Sequence, residues 1–224
     1  LIGEATWDWR RHHTLQFLLL HQNDGSSREA VGHRLDNQYL DESDARLTWF
    51  GARASGAFDL AERSVIGYWL DTAWVRGKER RTEFDAIDAV RSIVTNVTQQ
   101  SVRGWGFDSG ISWLIPARYE TRLYAGYAYG SGDANPQDDT DRAFRQTWLA
   151  TNEAGFGGAQ RFPHYGIGLN PELSNLKIVT IGAGLNILKS SSIDLVYHHY
   201  QLVTPADALR NARILVMGPV SERE

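Results

Sequence analysis

The sequence predicts an all-β protein, a set of antiparallel transmembrane β-barrel hairpins with about eight strands in view. Apolar residues recur with a period of two, which is the spacing of one face of a β-strand. The alternating segments are separated in turn by very short and very long connections, and this order is typical of outer-membrane barrels. No apolar run approaches the roughly 20 residues of a membrane-spanning helix, so strands would have to cross the bilayer.

The alternation predicts eight strands that pair into four hairpins. In chain order these strands are 1–9, 13–22, 45–58, 63–77, 101–114, 119–131, 176–187 and 193–202. Polar or turn-forming residues make the short connections, which are 10–11, 59–62, 115–118 and 188–192. The long connections are 23–44, 78–100 and 132–175. We treat residues 1–224 as one barrel domain or a fragment of one, and expect a longer parent chain because the sequence opens inside a strand.

Residue parity assigns the two faces of each strand. In segment 63–77, Leu70 and Trp74 share an apolar face, whereas Asp71 lies on the other. Aromatic residues cluster toward strand ends, and the charged faces are rich in glycine, so we expect the apolar face to meet lipid and the polar face a water-filled lumen. In segment 45–58 we place Phe50 outward and Arg53 in the lumen, because Arg in mid-bilayer lipid costs about 2–4 kcal/mol.

Composition excludes several classes of function. The formal net charge of -4 gives no electrostatic case for nucleic acid, and the absence of cysteine excludes disulfides and thiolate metal sites. Adjacent histidines on a strand point to opposite faces, so neither His12-His13 nor His198-His199 presents both rings to one metal. No nucleophile motif such as G-x-S-x-G is present. We therefore predict no enzyme activity and no cofactor.

Several motifs, in this order along the chain, resemble the alginate export family of outer-membrane proteins. They cover most of the sequence and are EATWDW at 4–9, YWLD at 68–71, WGFDSG at 105–110, YAYGSGD at 127–133, RAFRQT at 142–147, Tyr165-Gly166, NPELSNL at 170–176 and DLVYH at 194–198. The resemblance implies a monomeric barrel of about eighteen strands in the outer membrane of a Gram-negative cell. It also implies export of an alginate-like acidic polysaccharide through an arginine-lined constriction. The expected partners are that polymer, outer-membrane lipid and periplasmic export or biosynthesis proteins.

Polymer translocation needs cations spaced along the lumen, and arginine suits this task because its planar fork engages carboxylates and stays charged. Parity selects Arg53, Arg63 and Arg122, and the family motif adds Arg142 and Arg145. Acidic side chains expected to pair with some of these arginines are Asp71, Asp108, Glu120 and Asp194. For any single arginine, a salt bridge that only holds the barrel's shape is an equally good interpretation.

Three other functions stay open at the level of sequence. A general anion-selective porin would share the lumen but not the preference for a polymer. A soluble carbohydrate-binding β-sandwich would use the aromatic residues for sugars and fold without detergent. An outer-membrane enzyme would need catalytic residues that converge at one rim of the barrel.

Overall fold

A computed structural model describes residues 1–25, 29–39, 43–117, 119–135, 137–147, 153–156, 162–166, 169–188 and 191–205. Eight strands are long enough to form the main sheet: β1 (Ile2–Arg10), β2 (His13–Asn23), β4 (Ser43–Ala61), β5 (Ser64–Ala86), β6 (Arg91–Ile115), β7 (Thr121–Gly130), β11 (Leu176–Leu188) and β12 (Ser191–Leu202). The short strands are β3 (Arg34–Asp36), β8 (Thr140–Asp141), β9 (Glu153–Phe156) and β10 (Phe162–Pro163). Within these ranges the one helical element is a single 3₁₀ turn, Asn37–Tyr39, so the predicted all-β class is confirmed. None of the described residues forms a helix with the length and apolar character to cross a bilayer.

The main sheet is an antiparallel meander in the predicted order. Its strands follow one another as β1-β2-β4-β5-β6-β7-β11-β12, and β3 and β8 add to β6 to give a ten-stranded sheet. β9 and β10 form a separate two-stranded sheet. In the described part of the chain β1 and β12 are the two ends of the order and do not pair with each other, so the described sheet is open, as a part of a larger barrel would be.

One predicted connection is corrected by the structure. Most of the segment 78–100 continues the flanking strands, since β5 runs to Ala86 and β6 starts at Arg91. The two strands stay in register from Val65 opposite Leu114 to Ala86 opposite Ser92, with one irregularity at Glu83/Phe84. The connection itself is a tight turn over residues 87–90.

The short connections lie close to their predicted places. His12 and Arg63 adopt positive φ angles of 66° and 62°, as tight hairpin turns require. These turns join β1 to β2 and β4 to β5. Parts of other predicted connections lie outside the described residues, namely 26–28, 40–42, 118, 136, 148–152, 157–161, 167–168 and 189–190.

Candidate functional site

The two faces of the sheet differ in chemistry, as parity predicted. Leu70, Ile111 and Ile181 point to one face and are 45%, 57% and 52% exposed, and we call this the outer face. Phe50 is on the same face and is half exposed, whereas Arg53 contacts Asp71 on the opposite, inner face. The assignment of Arg53 to the polar side therefore agrees with the structure.

Part of the long connection between β7 and β11 covers the inner face. Phe144, Tyr165 and Leu173 are buried against inner-face residues such as Trp49 and Val75. The indole Nε1 of Trp49 donates to the backbone oxygen of Arg145 at 2.7 Å. The hydrophobic core of this protein therefore lies between the sheet and its own loop.

The central inner face carries a cluster of polar and aromatic side chains, which we call the central cluster. Asp71 and Asp108 are directly opposite each other in the β5–β6 register. The Nε atom of Arg53 lies 3.4 Å from Oδ1 of Asp71, within ion-pair distance but without hydrogen-bond geometry. Asp108 accepts hydrogen bonds from Trp69 Nε1 at 2.8 Å and from the Tyr165 hydroxyl at 2.9 Å. The loop is thus joined to the sheet at a carboxylate in the middle of the inner face.

Burial sets the protonation of the two loop residues in the central cluster. Burial, and then the charge of Asp108, raise the pKa of Tyr165 well above its ordinary value, so its hydroxyl remains a donor. Burial lowers the pKa of His164 although Asp108 opposes this, so the ring, which lies 5.9 Å from that of Trp69, is neutral at pH 7. Gly110 lies beneath Trp69, where an added Cβ would overlap the indole ring.

Arg145, predicted from its motif, is enclosed by carboxylates. Its guanidinium contacts Glu79 at 2.8 Å and also Asp141, and Gln100 donates to Glu79. Arg145 and Glu79 are only 11% and 5% exposed at their side chains. Burial alone would lower the pKa of Arg145, but the two carboxylates more than offset it and raise that pKa. Such a buried arginine, with both terminal nitrogens on carboxylates, is suited to fixing the loop rather than to binding polymer.

Arg122 lies on the inner face near the short turns. It contacts Asp194 at 3.1 Å and donates to the side-chain oxygen of Asn186 at 2.7 Å, and the guanidinium is mostly buried. Glu120, predicted to be on the strand, instead lies in the turn before β7 with a φ of 44°. Its carboxylate accepts a hydrogen bond from Asn186. The structure therefore links β7, β11 and β12 through these side chains.

The two remaining predicted arginines lie away from the central cluster. Arg142 is half exposed in the long loop and contacts Asp138 at 2.8 Å and Asp133 at 3.6 Å. The pKa of Asp138 is lowered, first by a hydrogen bond from the backbone N–H of Thr140 and then by a hydrogen bond from Arg142. Arg63 occupies the β4–β5 turn and is exposed, so the strand parity that placed it in the lumen does not apply.

Sequence reasoning missed three side chains of this inner face. Trp69 was assigned to the polar face without a role, Glu79 fell in a predicted loop, and Tyr165 was recognised only as part of a motif. The alternation of apolar and polar residues stops at Gly77, so the sequence pattern carries no signal that β5 extends to Glu79. Among the residues that the structure describes, no three His, Asp or Glu side chains come together as a metal site.

Comparison with known proteins places this two-faced sheet in a family. A sequence profile described as alginate export matches residues 2–219. The chain belongs to the alginate export family. The resemblance carried by the motifs is therefore confirmed, and alginate export is the role of this family.

A curated relative supports the same family. The alginate production protein AlgE of Azotobacter vinelandii is 27% identical over 207 residues. The match covers 89% of this chain and 40% of that protein, so the chain spans less than half the length of this relative. Alginate export is a transport role, so the family is not a family of enzymes.

Proposed function

We propose that this chain forms part of an outer-membrane channel that exports an alginate-like acidic polysaccharide. The observation that carries the proposal is the match of the alginate export family to nearly the whole chain. The apolar face of its sheet is exposed, and its polar face is partly covered by the chain's own loop. A contiguous apolar surface of this kind is unusual on a soluble monomer but suits contact with lipid. The long connections and the extended β5–β6 hairpin then lie outside, and the connections that follow β1, β4, β6 and β11 face the periplasm.

Arg53 is the residue that we assign to polymer contact. Its side chain is 50% exposed on the inner face, and its pairing with Asp71 leaves donors available for a uronate carboxylate. Arg122 and Arg145 are largely enclosed by carboxylates and amides. This supports the interpretation that both arginines form salt bridges that hold the shape of the protein. Arg142 orders the long loop between β7 and β11 through its contacts with Asp133 and Asp138.

Charges of both signs on the inner face suit transport better than tight binding. Asp71 is directly opposite Arg53 and Asp108 is the next residue across the sheet, so a bound carboxylate competes with the fixed carboxylate of Asp71 for the Arg53 guanidinium. A site must attract the polymer but also release it to the next site, and this competition weakens each contact. Passage also requires the loop held by Tyr165 to move or to leave space beside it, since that loop covers the inner face.

The test uses single-channel recordings of the full-length protein in planar bilayers, with polymannuronate as a blocker. We expect anion selectivity, and block by the polymer that becomes about fivefold weaker in Arg53→Gln, because a half-exposed ion pair contributes on the order of 1 kcal/mol. Asp71→Asn should strengthen the block, because it removes the competitor of the polymer carboxylate.

The matched control is Arg63→Gln, which removes the same charge from an exposed turn. It should leave the block unchanged. Equal effects of Arg53→Gln and Arg63→Gln would remove Arg53 from the pathway. A protein that does not insert, or a cation-selective pore indifferent to the polymer, would contradict the export proposal.

A further inference from the structure

A row of exposed aromatic side chains crosses the outer face of β4, β5 and β6. Phe50 is opposite Trp74, and Trp74 is opposite Trp105 in the strand registers. All three are between two fifths and just over half exposed. Rows of this type mark the level at which a membrane meets water.

Cations occupy the next outer-face positions toward the long connections. Two residues beyond the aromatic row, Arg76 is directly opposite Arg103. Two residues further, Arg46 is directly opposite Lys78. Neighbouring strands are about 4.8 Å apart and same-face residues about 6.8 Å apart, so the four side chains can reach one common anion. We call Arg46, Arg76, Lys78 and Arg103 the basic patch.

The basic patch differs from the arginines of the inner face in its lack of carboxylate partners. Within the described ranges, none of its four members forms an ion pair, and all four are exposed. A cleft of about 310 Å³ beside Arg46 and Lys78 is lined by the carboxylates Asp24, Asp44 and Glu79, of which Glu79 is the partner of Arg145. Asp44 is itself engaged by Arg80, at 3.8 Å.

Like charges directly opposite each other on a sheet destabilise it. The Arg76–Arg103 pair therefore has a repulsion that no described side chain offsets, and an external anion would relieve it. The guanidinium groups favour a phosphate, which accepts several hydrogen bonds in the geometry of their planar forks.

We propose that the basic patch binds the phosphate groups of a lipid head group in the leaflet at the long-connection end of the sheet. The location argues for lipid, because the patch lies directly beyond the aromatic row and on the face that points away from the inner-face polymer path. The inference rests on the outer-membrane orientation of the proposed function, but not on which polymer is exported.

The experiment measures lipid binding to the full-length protein in neutral detergent by native mass spectrometry. The probes are bisphosphorylated lipid A, the same lipid without its phosphates, inorganic phosphate and polymannuronate. The variant is Arg76→Gln with Arg103→Gln. The control is Arg11→Gln with Arg63→Gln, which removes two cations from the turns at the opposite end of the sheet.

We expect wild type and control to bind bisphosphorylated lipid A equally and the patch variant to bind it about 30-fold more weakly, from the usual contribution of two basic residues at a membrane surface. Unchanged binding in the patch variant, or equal binding of the lipid without phosphates, would overturn the proposal. So would full competition by inorganic phosphate or by polymannuronate at equal concentration, because the patch would then serve free anions or the polymer. Two results separate this proposal from the proposed function. The conductance of the patch variant should match that of wild type, because the patch lies outside the polymer path. If instead the wild-type channel proved indifferent to polymannuronate, lipid A binding should still be observed.

Discussion

Glu79→Gln tests whether the buried ion pair with Arg145 holds the long loop on the sheet. The substitution keeps the shape of the side chain and removes its charge, so Arg145 retains only Asp141 as a charged partner. Loss of one partner of a buried ion pair costs about 3–5 kcal/mol when no compensation remains. Because Asp141 does compensate, we expect the lower cost of a lost charged hydrogen bond, about 1.5–3 kcal/mol.

The matched control is Glu83→Gln on the same strand, where the carboxylate is exposed and accepts only a 3.3 Å hydrogen bond from Asn96. Hydrogen exchange of residues 141–147 in the detergent-solubilised full-length protein reports release of the loop. A cost of about 2 kcal/mol raises the exchange rate of these amides about 30-fold in Glu79→Gln. Exchange in Glu79→Gln that matches Glu83→Gln would refute the argument that this ion pair anchors the loop.

Two further predictions follow from the packing and the charges. Gly110→Ala should displace Trp69 from Asp108, since the new Cβ overlaps the indole, and the tryptophan fluorescence of the full-length protein should shift. The control is Gly3→Ala, whose new Cβ would meet only the Leu19 Cβ at 4.0 Å. An unchanged spectrum would contradict the close approach. The pKa of Asp138 is lowered, so its charged carboxylate stabilises the folded loop at neutral pH. This stabilisation is lost as the pH falls below the ordinary aspartate pKa of about 3.9. Amide exchange near residue 140, corrected for the intrinsic rate, should therefore increase in acid for wild type but not for Asp138→Asn. An equal pH dependence in both proteins would show that this carboxylate does not stabilise the loop.

The period of two was sufficient to predict the eight long strands because one face of each is apolar where the other is polar. That signal ends at Gly77, since Lys78, Glu79, Arg80 and Arg81 are charged on both faces. β5 and β6 nevertheless continue there, because their backbones pair with each other irrespective of side-chain polarity. Alternation thus predicts strands well only where the two faces meet different environments.

The candidate site was harder to predict because its contacts join distant parts of the chain. Arg122 and Asp194 are 72 residues apart, and only the strand order brings them together. The placement of Arg53 could be inferred because a charge in lipid is costly, which is a local argument. No comparable argument distinguished Arg145, whose enclosure depends on how the long loop folds back over β5.

The long β5–β6 hairpin also has a consequence for experiments on whole cells. Its tip is kept rigid by Asp88, which accepts hydrogen bonds from the backbone N–H groups of Val90 and Arg91, both at 2.9 Å. Ile87 lies thirteen positions after Trp74, and at about 3.3 Å per residue the tip stands roughly 40 Å from the aromatic row. Ile87 and Val90 are exposed there. In the proposed orientation this turn is exposed at the cell surface. An antibody epitope or a fluorophore inserted there would report which end of the sheet faces outside, without contact with the inner face.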